Sequence, residues 1–252
     1  MAERQAERGT ARGTARRTGA QVQHEIMQLI LDERLRPGEP LPTETELMAS
    51  LGVSRNSVRE ALKGLQALDI VEIRHGYGTY VGQVSLTPLA DGLTFRTLQE
   101  AGGYVRALSE ILEVREVLEA GLIRRVAPTI PEEDLAALDV IVRRMDARAR
   151  AGETFAEEDR EFHELLYRSV GNALVPQLLE VFWNVFDRVS RVRGFDHDPS
   201  PIGTVRRHRA IVTALRRRDV EAAEEALAKH FRNIDTRVAR ADRRDRPGTN
   251  HR

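Results

Sequence analysis

The stretch from Leu41 to Val81 leaves its backbone little choice: it reads L-P-T-E-T-E-L-M-A-S, then L-G-V-S-R-N-S-V-R-E-A-L, and ends on I-R-H-G-Y-G-T-Y-V. Thr43 with Glu46 three residues on forms a capping box, in which a hydroxyl and a carboxylate reciprocally satisfy orphan amides at a helix start. Leu51-Gly52-Val53 supplies a tight turn that needs glycine, and Ser54 caps a second helix whose Val58, Ala61, Leu62 and Leu65 recur at helical spacing. Two helices across a short glycine turn make a helix-turn-helix. The β-branched run Ile70 to Arg74, the turn His75-Gly76-Tyr77-Gly78 and the returning Thr79-Tyr80-Val81 add a two-stranded wing. An amphipathic stretch from about Gln21 to Leu35, stopped by Arg36-Pro37-Gly38, supplies a first helix. The expectation is a winged helix-turn-helix of three helices plus a β-hairpin over residues 21–83.

The first turn of the second helix-turn-helix helix carries Arg55, Asn56, Ser57 and Arg59, all polar and off the apolar stripe. Base readers sit there when such a helix enters a major groove: Arg grips guanine O6 and N7 bidentately, and Asn suits adenine. Net charge does not advertise a nucleic acid, since Lys+Arg and Asp+Glu are equal at 39 each. The expectation of double-stranded DNA as partner therefore rests on local placement.

At these residues the chain resembles the GntR family of bacterial transcription factors, whose winged-helix domains share L-P-S-E-R-x-L-A, L-G-V-S-R-x-x-V-R-E-A-L and a glycine-rich wing. The resemblance implies major-groove contacts from Arg55 and Arg59 and minor-groove contacts from His75 and Gly76 at the wing tip. The candidate DNA-binding set is thus Thr43, Arg55, Asn56, Ser57, Arg59, His75 and Gly76. Thr45 stands where many members carry an arginine.

Residues 1–20 are small, polar and arginine-dotted, and 239–252 are charged and proline-containing, so both read as disordered tails. Residues 84–103 read as a linker holding a short helix. Residues 104–238 show helical periodicity throughout and no strand-like alternation, so an all-α bundle of about six to seven helices is expected. The absence of cysteine excludes disulfides and thiolate metal sites. No apolar run approaches membrane-spanning length and no signal core appears, so a cytoplasmic protein without a membrane partner is the expectation.

Four polar residues stand on the bundle's apolar stripes. Asp159 and His163 share a helix face with Phe162 and Leu166 at i, i+4 spacing; His208 lies with Val205, Val212 and Leu215; His230 lies with Leu227, Phe231 and Ile234. Burying such groups unpaired costs several kcal/mol in principle, so they should converge on hydrogen bonds or on a cation. A lone inward histidine usually belongs to a satisfied core; three with a carboxylate favour a metal. These residues also resemble the helical FCD effector domain of the FadR branch of that family, which shows D-x-x-F-H, then H-R-A-I, then a late histidine. Here these are Asp159-Arg160-Glu161-Phe162-His163, His208-Arg209-Ala210-Ile211 and His230. Arg207 stands where many members carry a glutamate.

Three imidazoles and a carboxylate suit Zn²⁺ or Ni²⁺ rather than Ca²⁺ or Mg²⁺, and leave a coordination position open to an anionic oxygen. Arg115, on an apolar stripe, is either half of a structural salt bridge or an effector clamp. The family resemblance favours the clamp, because many FCD regulators bind small carboxylates. The sequence thus reads as a homodimeric regulator, a repressor, that binds a short inverted repeat and answers to a small carboxylate beside a metal. Two other readings stand beside it: a regulator whose metal is structural or is itself the signal, and a helical-bundle metalloenzyme. No His-Glu-x-x-His is present, and Arg160, Val205 and Leu227 stand three before the bundle histidines where a di-iron Glu-x-x-His would place glutamate, so no enzyme is expected.

Overall fold

Thr18 accepts from the Gln21 amide while the Gln21 side chain accepts from the Thr18 amide, and this capping box opens α1 (Gly19–Asp32) two residues ahead of the expected Gln21. In this computed structural model residues 17–100, 103–194 and 200–245 are described, and the chain divides into two units, Met1–Pro88 and Leu89–Arg252. The tail expected over residues 1–20 lies mostly outside the described residues; its last residues belong to the cap and first turn of α1.

In the first unit, α2 (Glu44–Leu51) begins at the Thr43–Glu46 capping box and stops at Gly52, whose φ of 63° is the left-handed conformation the sequence turn demanded. Ser54 then caps α3 (Arg55–Ala67). Leu47 of α2, Val58, Ala61, Leu62 and Leu65 of α3, and Val22, Ile26 and Ile30 of α1 close one core. The wing is β1 (Val71–Arg74) antiparallel to β2 (Gly78–Val81), with Val71 opposite Val81 and Arg74 opposite Gly78. Its outer edge is tied to the segment before α2: Leu41 N–H donates to Thr79 O and Val81 N–H to Glu39 O, both at 2.8 Å.

The second unit is helical throughout its described residues: α4 (Thr87–Gln99), α5 (Tyr104–Val126), α6 (Glu132–Ala151), α7 (Ala156–Leu166), a 3₁₀ turn (Arg168–Val170), α8 (Leu174–Arg193), α9 (Pro201–Arg216) and α10 (Val220–Asp245). Two boundaries differ from the sequence reading. The segment taken as a linker is largely α4, which the second unit holds through an Arg96–Glu110 pair at 3.2 Å, an Arg188–Asp91 pair and Arg193 donating to Leu98 O. The tail expected from 239 is helical to Asp245, because backbone i→i−4 bonds need no apolar face to continue; residues 246–252 lie outside the described residues. Ser200 precedes α9 and Pro201 opens it, Pro standing at the position where its missing N–H costs nothing. α10 packs on α9 and α5, α6 on α7 and α9, and α8 on α5 and α7, so the inward faces of α5, α7, α9 and α10 meet in one core. No described helix is long and apolar enough to cross a membrane.

Gly82, at the end of the wing, shows how tightly the first unit is closed. A Cβ there would lie 2.4 Å from Asp69 O, a backbone atom that cannot swing away, whereas one on Gly64 would meet only the flexible amide of Gln23. Gly82→Ala is expected to destabilise the chain by about 1–3 kcal/mol in denaturant melts. Gly64→Ala should change stability by less than about 1 kcal/mol, the helix propensity of alanine offsetting the shift of Gln23.

Candidate metal centre and nucleic-acid interface

α3 exposes Arg55, Asn56 and Arg59 from its first turns, as the sequence reading expected of base readers. Ser57 and Thr43 are occupied locally: Ser57 Oγ lies 2.9 Å from Ser54 Oγ, and Thr43 Oγ1 donates to Glu46 at 2.8 Å while accepting from its amide. His75 and Gly76 are exposed at the wing tip, with Gly76 at φ 81° and Tyr80 Oη donating to Tyr77 O beneath them. One participant was not foreseen. Glu44 receives Arg59 Nε at 2.9 and 3.0 Å and lies 4.0 Å from Arg55 Nε. Exposed pairs of this kind are worth about 0–1 kcal/mol, so Glu44 holds the two guanidiniums in place without preventing their transfer to an anionic partner.

In the second unit the four inward polar residues converge. α7 carries Asp159 and His163 one turn apart, α9 carries His208 and α10 carries His230; each offers one ligand atom, and these atoms all lie within 4.8 Å of one another. The three imidazoles are buried; His208 meets His230 and His163 edge to face, with ring centroids 4.5 and 5.7 Å apart, while His163 and His230 are tilted by 42°. Phe162 and Phe231 wall the cluster, packing edge-on against His208 and His230.

Proton placement can be read from the partners. His208 Nδ1 lies 3.0 Å from Thr204 O, which only accepts, and His163 Nδ1 lies 2.7 Å from the Glu119 carboxylate. Both Nδ1 atoms therefore donate, and both Nε2 atoms are turned toward the cluster. His208 Nε2 then faces Asp159 Oδ1 at 2.6 Å without hydrogen-bond geometry, and neither atom has a hydrogen-bond partner. His163 Nε2 and both nitrogens of His230 are likewise without one. So short a contact needs positive charge, either a second proton on His208 that makes it an ion pair with Asp159 or a cation held between the two atoms. Burial pushes the Asp159 carboxyl up, but His208, His163 and His230 together hold it well below the usual carboxylate range; burial, with His208 and His163, pushes His230 well below its ordinary value. A metal binds an ionised carboxylate and neutral imidazoles, and it would take the place of the protons whose charge otherwise holds Asp159 ionised. Ligand atoms about 2.1 Å from one ion lie roughly 3–4 Å apart, so the donor set fits a first-row divalent cation after small side-chain shifts.

Behind the cluster stands a residue the sequence reading did not single out. Glu119 of α5 is 0 % exposed and accepts from Arg115 Nε at 2.6 Å, His163 Nδ1 at 2.7 Å and Tyr167 Oη at 3.0 Å. Burial pushes its carboxyl up, but Arg115 and His163 more than reverse this and hold it at about 2. Burial, and then Glu119, push the Tyr167 phenol up, so it stays a donor. Arg115 is thus half of a salt bridge, yet only through Nε: its guanidinium lies over Trp183 at 4.3 Å and Phe231 at 5.3 Å, and Nη2 is buried without a hydrogen-bond partner. The i, i+4 spacing of Arg115 and Glu119 is the sequence signal that could have pointed to this pair. Arg207 donates to Thr204 Oγ1 at 2.8 Å and Asn233 Oδ1 at 2.6 Å, bracing α9 against α10 one turn from His230.

Comparison with known proteins agrees with both halves of this geometry. Residues 18–81 match the description "Bacterial regulatory proteins, gntR family", and residues 110–233 match "FCD domain". The galactonate operon transcriptional repressor of Escherichia coli K12 is 29% identical over 190 residues, covering 75% of this chain and 83% of its own. The HTH-type transcriptional repressor NanR of Cronobacter sakazakii is 30% identical over 224 residues, covering 84% and 82%. Among solved structures, the Streptococcus agalactiae GntR aligns with a TM-score of 0.64 at 27% identity, over 87% of this chain and 99% of that one.

Glu119→Ala strands a buried guanidinium and a buried imidazole N–H at once. It is expected to destabilise the second unit by about 3–5 kcal/mol in chemical denaturation. Glu119→Gln, which retains an acceptor but not the charge, should cost less.

Proposed function

The chain belongs to the GntR family of bacterial regulatory proteins, with an FCD domain behind its DNA-binding domain, and we propose that it is a homodimeric repressor released from its operator by a small carboxylate bound beside a metal ion. The matched families and the named relatives are transcription regulators, not enzymes. The observation that carries the effector half is the group of four ligand atoms within 4.8 Å of one another, none with a hydrogen-bond partner.

Asp159, His163, His208 and His230 would hold Zn²⁺ or Ni²⁺. Such an ion supplies an open coordination position that draws an anionic oxygen out of water. Glu119 fixes the tautomer and ring orientation of His163, and Thr204 O does the same for His208. Arg115, already gripped by Glu119 through Nε, presents Nη2 as a pre-oriented donor for the carboxylate. The E. coli relative is named for a galactonate operon, which makes sugar acids the first compounds to try.

Two winged helices related by two-fold symmetry suit a short inverted repeat in cytoplasmic DNA. Arg55 and Arg59 read base edges, Asn56 reads beside them, Thr43 and Ser57 lie at the helix starts, and His75 and Gly76 reach the minor groove from the wing. An effector that loosens operator binding must itself be bound more weakly by the DNA complex, by the same factor.

Two measurements test this. Arg55→Ala or Arg59→Ala should weaken binding to the intergenic DNA beside the gene by about 1–3 kcal/mol in gel shifts and leave thermal stability unchanged; wild-type affinity in both variants refutes the role given to α3. The purified protein should carry about one transition-metal ion per chain by elemental analysis. His163→Ala, His208→Ala and His230→Ala should each lower both occupancy and melting temperature, because metal binding is linked to folding. Protein that takes up neither Zn²⁺ nor Ni²⁺ on reconstitution leaves a metal-free histidine core and refutes the centre.

A further inference from the structure

Trp183, on α8, is the chain's single tryptophan. Its ring lies under the Arg115 guanidinium at 4.3 Å and beside the His163 imidazole, with ring centroids 5.9 Å apart. The side chain is only 9% exposed, yet Nε1 has no acceptor, and Arg115, 2% exposed, has none for Nη2. A buried N–H left without a partner is destabilising, and a buried indole N–H ordinarily finds one. Two such donors on touching side chains, both against the ligand cluster, indicate a partner that is not part of the chain.

The surrounding acceptors explain why the chain does not satisfy them. Glu119 is the nearest carboxylate to Arg115, and its oxygens already receive Arg115 Nε, His163 Nδ1 and Tyr167 Oη. Asp159 Oδ1 is committed to the cluster, 2.6 Å from His208 Nε2. A phenylalanine at 183 would offer the guanidinium an aromatic face as well; what tryptophan adds is a donor fixed in direction by the stack.

We propose that Trp183 Nε1–H is a specificity-determining contact to the effector, taking an oxygen other than the carboxylate oxygen taken by Arg115 Nη2. The ligand is then an acid with at least one further accepting oxygen, a hydroxy, keto or sugar acid. Simple alkanoic acids are selected against because they leave the indole donor orphaned, and a site built to hydrogen-bond an oxygen rejects the analogue without it. The inference rests on the carboxylate reading above.

The test uses full-length, Zn²⁺-loaded protein labelled with ¹⁵N, in which one tryptophan gives one indole N–H resonance. The probes are acetate, glycolate, D-glycerate and D-galactonate. At least one oxygenated acid should bind tenfold or more tightly than acetate and move the indole proton downfield, while acetate leaves it in place. Trp183→Phe should bind acetate as wild type does and lose about tenfold in affinity for that oxygenated acid, the worth of one hydrogen bond. An indole resonance unmoved at saturation by an oxygenated acid, or a Trp183→Phe variant that holds that acid as tightly as wild type, removes the contact. The carboxylate reading survives either result if binding still depends on Arg115. Acetate binding as tightly as every oxygenated acid also removes the contact. If none of the four acids binds the metal-loaded protein, both readings fall. The resonance is observed in unaltered protein, so the outcome does not depend on whether the variant folds.

Discussion

An ionised carboxylate at 0 % exposure organises the second unit. Taking Glu119 out of water is costly, and the cost is met only because three donors from two helices arrive at it: Arg115 from its own helix, and His163 and the C-cap residue Tyr167 from α7. Each depends on the others. Without Glu119, Arg115 would be an uncompensated buried cation and His163 would have nothing to fix its tautomer. The cluster of Asp159 and three histidines is therefore the inner half of a two-layer polar core whose outer layer is this carboxylate. The two layers share His163, with one nitrogen facing each.

That arrangement separates what the sequence could reveal from what it could not. The first unit was legible because its determinants are local: a threonine three residues before a glutamate, a glycine at a left-handed turn, and apolar residues one turn apart along α3. Asp159 and His163 were legible for the same reason, and His208 and His230 because each is a polar residue on an otherwise apolar stripe. Glu119 was not. A glutamate on a helix rich in charge reads as solvated, and only the packing of α10, α8 and the 3₁₀ turn on α5, with His163 and Tyr167 reaching it, buries Glu119. Trp183 reads as ordinary core by periodicity; that its N–H lacks an acceptor is a fact of packing, not of spacing. The Glu44–Arg59 pair joins residues fifteen apart across a turn, where no helical period operates.

The two units answer to different physics. In the DNA-binding unit the polar residues are exposed and their pairs weak, so Arg55 and Arg59 can leave Glu44 for a stronger anion at little cost. In the FCD domain the polar core around Glu119 and the histidines is buried, its pairs are strong, and most of the buried atoms left without a hydrogen-bond partner lie there. Readily exchanged contacts suit a surface that must slide and search along DNA, while fixed ones suit a pocket that must distinguish one small molecule from another.

The ligands also have an order in the chain. Asp159 and His163 come early in the bundle, His208 comes on α9, and His230 comes midway along α10, the last of the described helices. A growing polypeptide emerges in that same order, and domains fold as units while they are being made. No fragment lacking α10 contains the complete donor set, so the centre is assembled only as the bundle itself is finished. The polar cluster is therefore non-local in the strict sense: a chain shortened before α10 keeps three of its four members and lacks the histidine that closes it.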